Sequence, residues 1–126
     1  MNEELMYDEK KLPPWRGMII TSHAATYDDP IAVTLGEAIT TTDRTDYWRD
    51  NPVWLFRWCM TADGKSGWLP EALIGPDSTA LADYDARELT VVEGMFVSVT
   101  RAYNGWLWCT DQKGASGWVP EDHVQR

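Results

Sequence analysis

One stretch of this chain is written twice: Trp58-Cys59-Met60-Thr61-Ala62-Asp63-Gly64-Lys65-Ser66-Gly67-Trp68-Leu69-Pro70-Glu71 returns as Trp108-Cys109-Thr110-Asp111-Gln112-Lys113-Gly114-Ala115-Ser116-Gly117-Trp118-Val119-Pro120-Glu121. The matched Trp, Cys, Gly, Ser, Gly, Trp, Pro and Glu are all 50 positions apart, without a gap. A repeat of that length in a short chain signals a duplicated structural unit and overrides the one-domain prior set by 126 residues. A domain of roughly 60 residues buries only about 60% of its unfolded surface, so each half has a marginal core.

The text between the repeats is β vocabulary. Met18-Ile19-Ile20-Thr21 is β-rich, and Ile31, Val33 and Leu35 alternate with Ala32 and Thr34 ahead of Gly36-Glu37, after which Ile39 resumes the apolar face. Val53 to Met60 reads as a strand, Asp63-Gly64 as a hairpin turn, and Gly67 to Leu69 as the return strand. Ala24 to Pro30 reads as a loop with one aromatic, and Thr40 to Pro52 as a long polar loop carrying Asp43, Asp46, Asp50, Tyr47 and Trp48. Glu88-Leu89-Thr90-Val91-Val92-Glu93-Gly94 matches Ile31 to Gly36 at a spacing of 58, and Val97 matches Ile39. The spacing then falls to 50, so the first copy carries eight more residues before Trp58 than the second does before Trp108. No segment keeps a period near 3.6 for three turns, and the expected fold is all-β.

These signals divide the chain into a leader over 1–15, a first domain over 16–74, a linker over 75–78 and a second domain over 79–126. The leader ends in Lys10-Lys11-Leu12-Pro13-Pro14-Trp15-Arg16, where paired prolines favour an extended path. It is either a mobile lead-in or a strap whose Pro-Pro-Trp packs on a domain.

Net charge is −9, which argues against nucleic acid and anionic membrane as partners, because phosphate binding needs clustered Lys and Arg. No apolar run approaches about 20 residues, the start has no basic or apolar signal, and nothing in the text points out of the cytoplasm. Cys59 and Cys109 hold the same place in both copies and read as small buried residues rather than a disulfide or zinc site. No convergent catalytic set is spelled out: Cys109 with His123 fails as a dyad because strand parity sends the Cys inward and the His outward. The acidic loop lacks the spacing of a cation site, so the chain is expected to be neither an enzyme nor a cofactor carrier.

Four ordered motifs carry a resemblance. They are Ala80-Leu81-Ala82-Asp83-Tyr84, then Glu88-Leu89-Thr90 with Glu93-Gly94, then Gly105-Trp106-Leu107-Trp108, then Gly117-Trp118-Val119-Pro120-Glu121-Asp122-His123-Val124. Residues 79–126 resemble a Src-homology-3 (SH3) domain, and residues 17–74 resemble its divergent bacterial variants more loosely. The resemblance implies two small five-stranded antiparallel SH3-like barrels in tandem, each able to hold an extended, proline-containing peptide on a shelf of aromatic rings. Carried over by position, the second shelf is Tyr84, Trp106, Trp118 and Pro120, with His123 where the family has a Tyr and Ala82 where it has another. The matching set in the first copy is Tyr27, Phe56 or Trp54, Trp68 and Pro70, with Leu73. Strand parity agrees that Trp106 and Trp108 face one way, as do Trp118 and Pro120. Asp85 and Glu88, with the acids of the long loop, would supply the field that draws a basic segment. The expected partner is therefore a protein or peptide, basic and Pro-containing. A structural role stays open beside it, in which the aromatic faces are buried between domains or between the subunits of an oligomer.

Overall fold

The computed structural model describes Tyr7 and residues 9–126. The remaining leader residues, 1–6 and 8, lie outside what is described. Among the described residues the structure is all-β: ten strands are joined by turns and by short 3-10 turns at Trp48–Asp50, Glu71–Leu73 and Glu121–His123. No helix among the described residues is long and apolar enough to cross a membrane.

The chain divides into two compact units that do not follow the order of the repeats. The first takes Asp29–Ala86, together with Tyr7. The second takes Glu9–Asp28 and then Arg87–Arg126.

In the second unit, β1 (Lys10–Ile19), β7 (Phe96–Tyr103), β8 (Trp106–Thr110), β9 (Ser116–Pro120) and β10 (Val124–Gln125) form one antiparallel sheet in the order β10-β1-β7-β8-β9. Its core is Ile19, Leu89, Val91, Val97, Val99, Leu107, Cys109 and Val119. The period-2 pattern places these residues on one face, and burying each large side chain is worth roughly 1.5–3 kcal/mol. Asn104 and Gly105, at φ 47° and 85°, close the two-residue β7–β8 turn, a left-handed pair that Asn-Gly adopts at little cost. The Gly105 carbonyl then accepts a hydrogen bond from the Glu121 amide at 2.9 Å, which fixes the start of the last 3-10 turn.

The proline-bearing leader segment is a strap in strand form. Lys10 and Lys11 lie opposite Ala102 and Arg101, and Trp15 to Met18 lie opposite Val99 to Phe96, with a register break between Lys11 and Trp15. Leu12, Pro13 and Pro14 occupy that break, where prolines without an N–H remove no ladder bond.

In the first unit, β3 (Thr40–Tyr47), β4 (Leu55–Met60) and β5 (Ser66–Pro70) form a three-stranded sheet, and β2 (Ala32–Val33) pairs with β6 (Tyr84–Asp85). Ile31, Val33, Ile39, Cys59, Leu69, Leu73 and Ala80 make its core. The expected polar loop after Thr40 is instead strand as far as Tyr47. It carries no apolar face because it is exposed along almost its whole length and is held by its backbone ladder to β4.

Equivalent positions reveal why the units cross the repeats. Thr79 bridges Ala38 and Ala80 bridges Ile74 in the first unit, as Met18 faces Phe96 and Ile19 faces Val124 in the second. Tyr84 lies opposite Val33 as His23 bridges Val91. Residues 18–23 thus do for the second unit what residues 79–84 do for the first. Each set of closing residues precedes, in the chain, the unit it does not serve.

Candidate interaction site

The resemblance located a shelf on Tyr84, Trp106, Trp118 and Pro120. In the structure Tyr84 belongs to the first unit and the other three to the second. His23 holds the corresponding place in the second unit: its amide and carbonyl exchange hydrogen bonds with Val91 at 2.9 and 2.8 Å. Its ring stands edge-on to Trp106, with centroids 5.8 Å apart and planes at 74°, and to His123 at 5.7 Å and 89°. Trp106 is opposite Pro120 across the β8–β9 ladder, and the proline is fully buried beside the partly exposed indole.

Polar contacts hold this cluster. His23 Nε2 lies 2.8 Å from Glu88 Oε1, which also accepts the Thr26 hydroxyl at 3.1 Å. His123 Nδ1 lies 3.1 Å from the Thr21 carbonyl, and its Nε2 lies 3.7 Å from Asp122. Glu88 is therefore engaged within its own unit, while Asp122 presents a side chain 59% exposed at the rim. Tyr27, assigned to the first copy, lies in the second unit and is 40% exposed.

Trp118 is not an open ring. It packs edge-on against Trp108 at 5.2 Å and retains 4% of its surface. The Arg101 guanidinium lies 4.2 Å from the Trp108 ring centre and 5.7 Å from that of Trp118, and is anchored to Glu9 at 2.9 Å. This is a structural stack: a cation over indoles, worth about 0.5–2 kcal/mol per contact, with its charge paired.

The first unit repeats the stack. Trp58 meets Trp68 edge-on at 5.3 Å, and Arg44 lies over both at 4.7 and 5.0 Å. Arg57 forms a two-pronged bridge to Glu71 at 2.7 and 3.2 Å. Phe56, opposite Pro70, is buried to 8%, and Trp54 precedes β4 half-buried. Tyr84 is met edge-on by Tyr7 at 5.8 Å, while Asp85 faces Ala32. Of the first-copy set, the described surroundings thus leave a stacked Trp68, a buried Phe56 and buried Pro70, with Tyr7 against Tyr84.

Cys109 and His123 form no dyad. The Cys109 thiol is fully buried, 3.5 Å from the Leu107 carbonyl, and burial pushes its pKa up to about 12. Cys59 is likewise a buried free thiol, pushed up to about 11 by burial, with Arg57 opposing the shift and Glu71 adding to it.

Sequence reasoning missed His23, Thr26 and Arg101. The misleading signal is Tyr27-Asp28, which reads like Tyr84-Asp85, whereas the strand registers align Tyr84 with His23. No curated protein and no solved structure matches the chain. A model of the variant SH3 domain matches residues 79–126, a kind of domain that serves in general as a protein-interaction module.

Proposed function

We propose that the chain is a non-catalytic interaction module made of two small SH3-like barrels, and that the second holds an extended protein segment across Trp106, His23, His123 and Tyr27. The observation that carries this reading is the Trp106 indole. It is partly exposed and set edge-on to His23, and it lies within residues 79–126, the stretch that a model of an interaction domain matches.

A proline or aliphatic side chain of the ligand lies against the indole, and the imidazoles offer polar edges to its backbone. The field of Asp122 and Glu88 within a chain of charge −9 favours a basic ligand. Glu88 acts through that field rather than as a direct anchor, since His23 and Thr26 already occupy its inner oxygen.

Capture from native lysate tests the reading. Wild-type chain should retain protein partners that Trp106→Ala and His23→Ala both lose while keeping the wild-type circular dichroism and unfolding temperature. A Trp106→Ala variant that fails to fold, or one that retains the same partners, would overturn it. If the aromatic face is instead buried between subunits, sedimentation shows a stable oligomer whose assembly Trp106→Ala disrupts.

A further inference from the structure

The two units differ in how one strand edge is covered. Strands β3 and β7 are equivalents: Thr41 lies opposite Cys59 and Val99 opposite Cys109, with the repeated glycines Gly67 and Gly117 next across. The outer edge of β7 carries β1, from Lys10 opposite Ala102 to Met18 opposite Phe96. The outer edge of β3 carries no strand among the described residues. Its cover ends where the Ile39 amide donates to the Ser78 carbonyl at 2.9 Å, just before the strand begins. From Thr40 to Tyr47 every residue but Thr42 is exposed.

We propose that the outer edge of β3 is a docking site for an extended basic segment of another protein, added as a further antiparallel strand. Edge strands present a row of amides and carbonyls ready to pair, and peptide recognition by strand addition uses them. The chain supplies its own precedent. The strand on the equivalent edge is Lys10-Lys11-Leu12-Pro13-Pro14-Trp15-Arg16, extended, basic and proline-bearing.

Charge favours the same kind of occupant on β3, which displays Asp43 and Asp46 around a single Arg44, and that arginine is already stacked on Trp58 and Trp68. Within the irregularity between Thr41 and Thr45 the Arg44 amide donates to Thr42 Oγ1 at 3.2 Å and the Thr42 carbonyl accepts from Arg57 at 2.7 Å, so pairing would rest on the flanking residues; β7 has an irregularity between Val99 and Arg101 and is paired on both sides of it. A second copy is the poorer occupant: it brings another acidic β3 on a chain of charge −9. This site is separate from the Trp106 shelf, and neither proposal depends on the other.

The test is a nuclear magnetic resonance titration of the isotope-labelled full chain with a synthetic peptide of the sequence of residues 10–17. Amide shifts should concentrate on Thr40–Tyr47, while the Trp106 indole signal stays unmoved. Two exposed charges are reversed in Asp43→Lys/Asp46→Lys, which should weaken binding by about tenfold, the range expected for a pair of surface charge contacts. A peptide with both lysines and the arginine replaced by glutamate should not bind, nor should one N-methylated at alternate residues, which cannot pair as a strand. Shifts confined to Trp106 and His23, shifts on β7 from displacement of β1, binding undiminished in the double variant, or self-association through β3 would each overturn the proposal. So would the absence of any shift.

Discussion

Gly117 and Gly67 occupy the same place in the two copies, yet a side chain at each would meet different things. A Cβ on Gly117 would come within 2.6 Å of the Leu89 nitrogen and 2.7 Å of the Glu88 carbonyl carbon, both backbone atoms of the segment crossing β9. A Cβ on Gly67 would meet the Ile31 Cγ2 methyl at 2.8 Å and its Cβ at 3.3 Å, with the Ile31 nitrogen further off at 3.7 Å, so the close contacts are with a buried, stiff side chain rather than with backbone. Gly117→Ala should therefore cost about 3 kcal/mol or more and Gly67→Ala about 1–2, since overpacking that backbone cannot relieve is the costlier kind. Thermal unfolding of the two variants checks the order, and equal losses would refute this account of the crossing.

The thiols make a second residue-scale case. Burial holds Cys109 near 12 and Cys59 near 11, against an ordinary value of 9.0. A raised acid pKa means the folded state keeps a proton that the unfolded chain gives up. Below pH 9 both states hold it and these groups add no pH dependence; above pH 9 stability falls, by about 1.4 kcal/mol per pH unit for each thiol until its folded pKa is reached. Denaturant midpoints between pH 8 and 11 should show the slope, and Cys59→Ala/Cys109→Ala should flatten it.

At the scale of the element, β1 makes the second unit a five-stranded sheet, and the outcome turns on two prolines. Pro13 and Pro14 read as an extended segment because proline fixes φ, and that much is legible from composition. Whether such a segment stays in water or joins a sheet depends on an available edge, which only the assembled β7 supplies. Deleting residues 1–16 should leave the Gly17–Ile19 pairing while freeing the edge from Ser98 to Ala102. Hydrogen exchange should then accelerate by at least about tenfold at those β7 amides that point to β1, which alternate along the strand with amides that point to β8, while Leu107 and Val119 change less. Uniform acceleration across the unit would mean that the strap supports the whole core rather than one edge.

The all-β class and the inward set of Val97, Leu107, Cys109 and Val119 were written in the alternation, as was the Asp63-Gly64 turn. Strand β3 was not, because Thr40 to Tyr47 alternates nothing: exposed on both faces, it gives no period to read. Trp118 was misread for a related reason. Parity assigns its face correctly but says nothing of Arg101 and Trp108, which cover that face.

At the scale of the molecule, the chain supplies two closing segments that hold equivalent positions, 18–23 and 79–84, and places each against the body that the repeat would assign to the other. The first unit is consequently almost continuous in sequence from Asp29 to Ala86, while the second is completed only when residues 9–28 meet residues 87–126. Repeats in the text could not reveal this, because the same two segments fit a plain succession of copies equally well. The buried cysteines distinguish the two connectivities, one thiol reporting on each core. Ile19, fully buried against Val99, Cys109 and their neighbours, belongs to the second core, and Ile19→Ala should cost about 2–5 kcal/mol there. Cys109 should then alkylate in moderate denaturant while Cys59 stays protected. Ala80→Asp, which puts a carboxylate into the first core, should expose Cys59 and spare Cys109. In a plain succession the pairing reverses, with Ile19→Ala exposing Cys59 and Ala80→Asp exposing Cys109. Mass spectrometry of the alkylated thiols would therefore read out which body each closing segment serves, and a reversed result would reject the crossed connectivity.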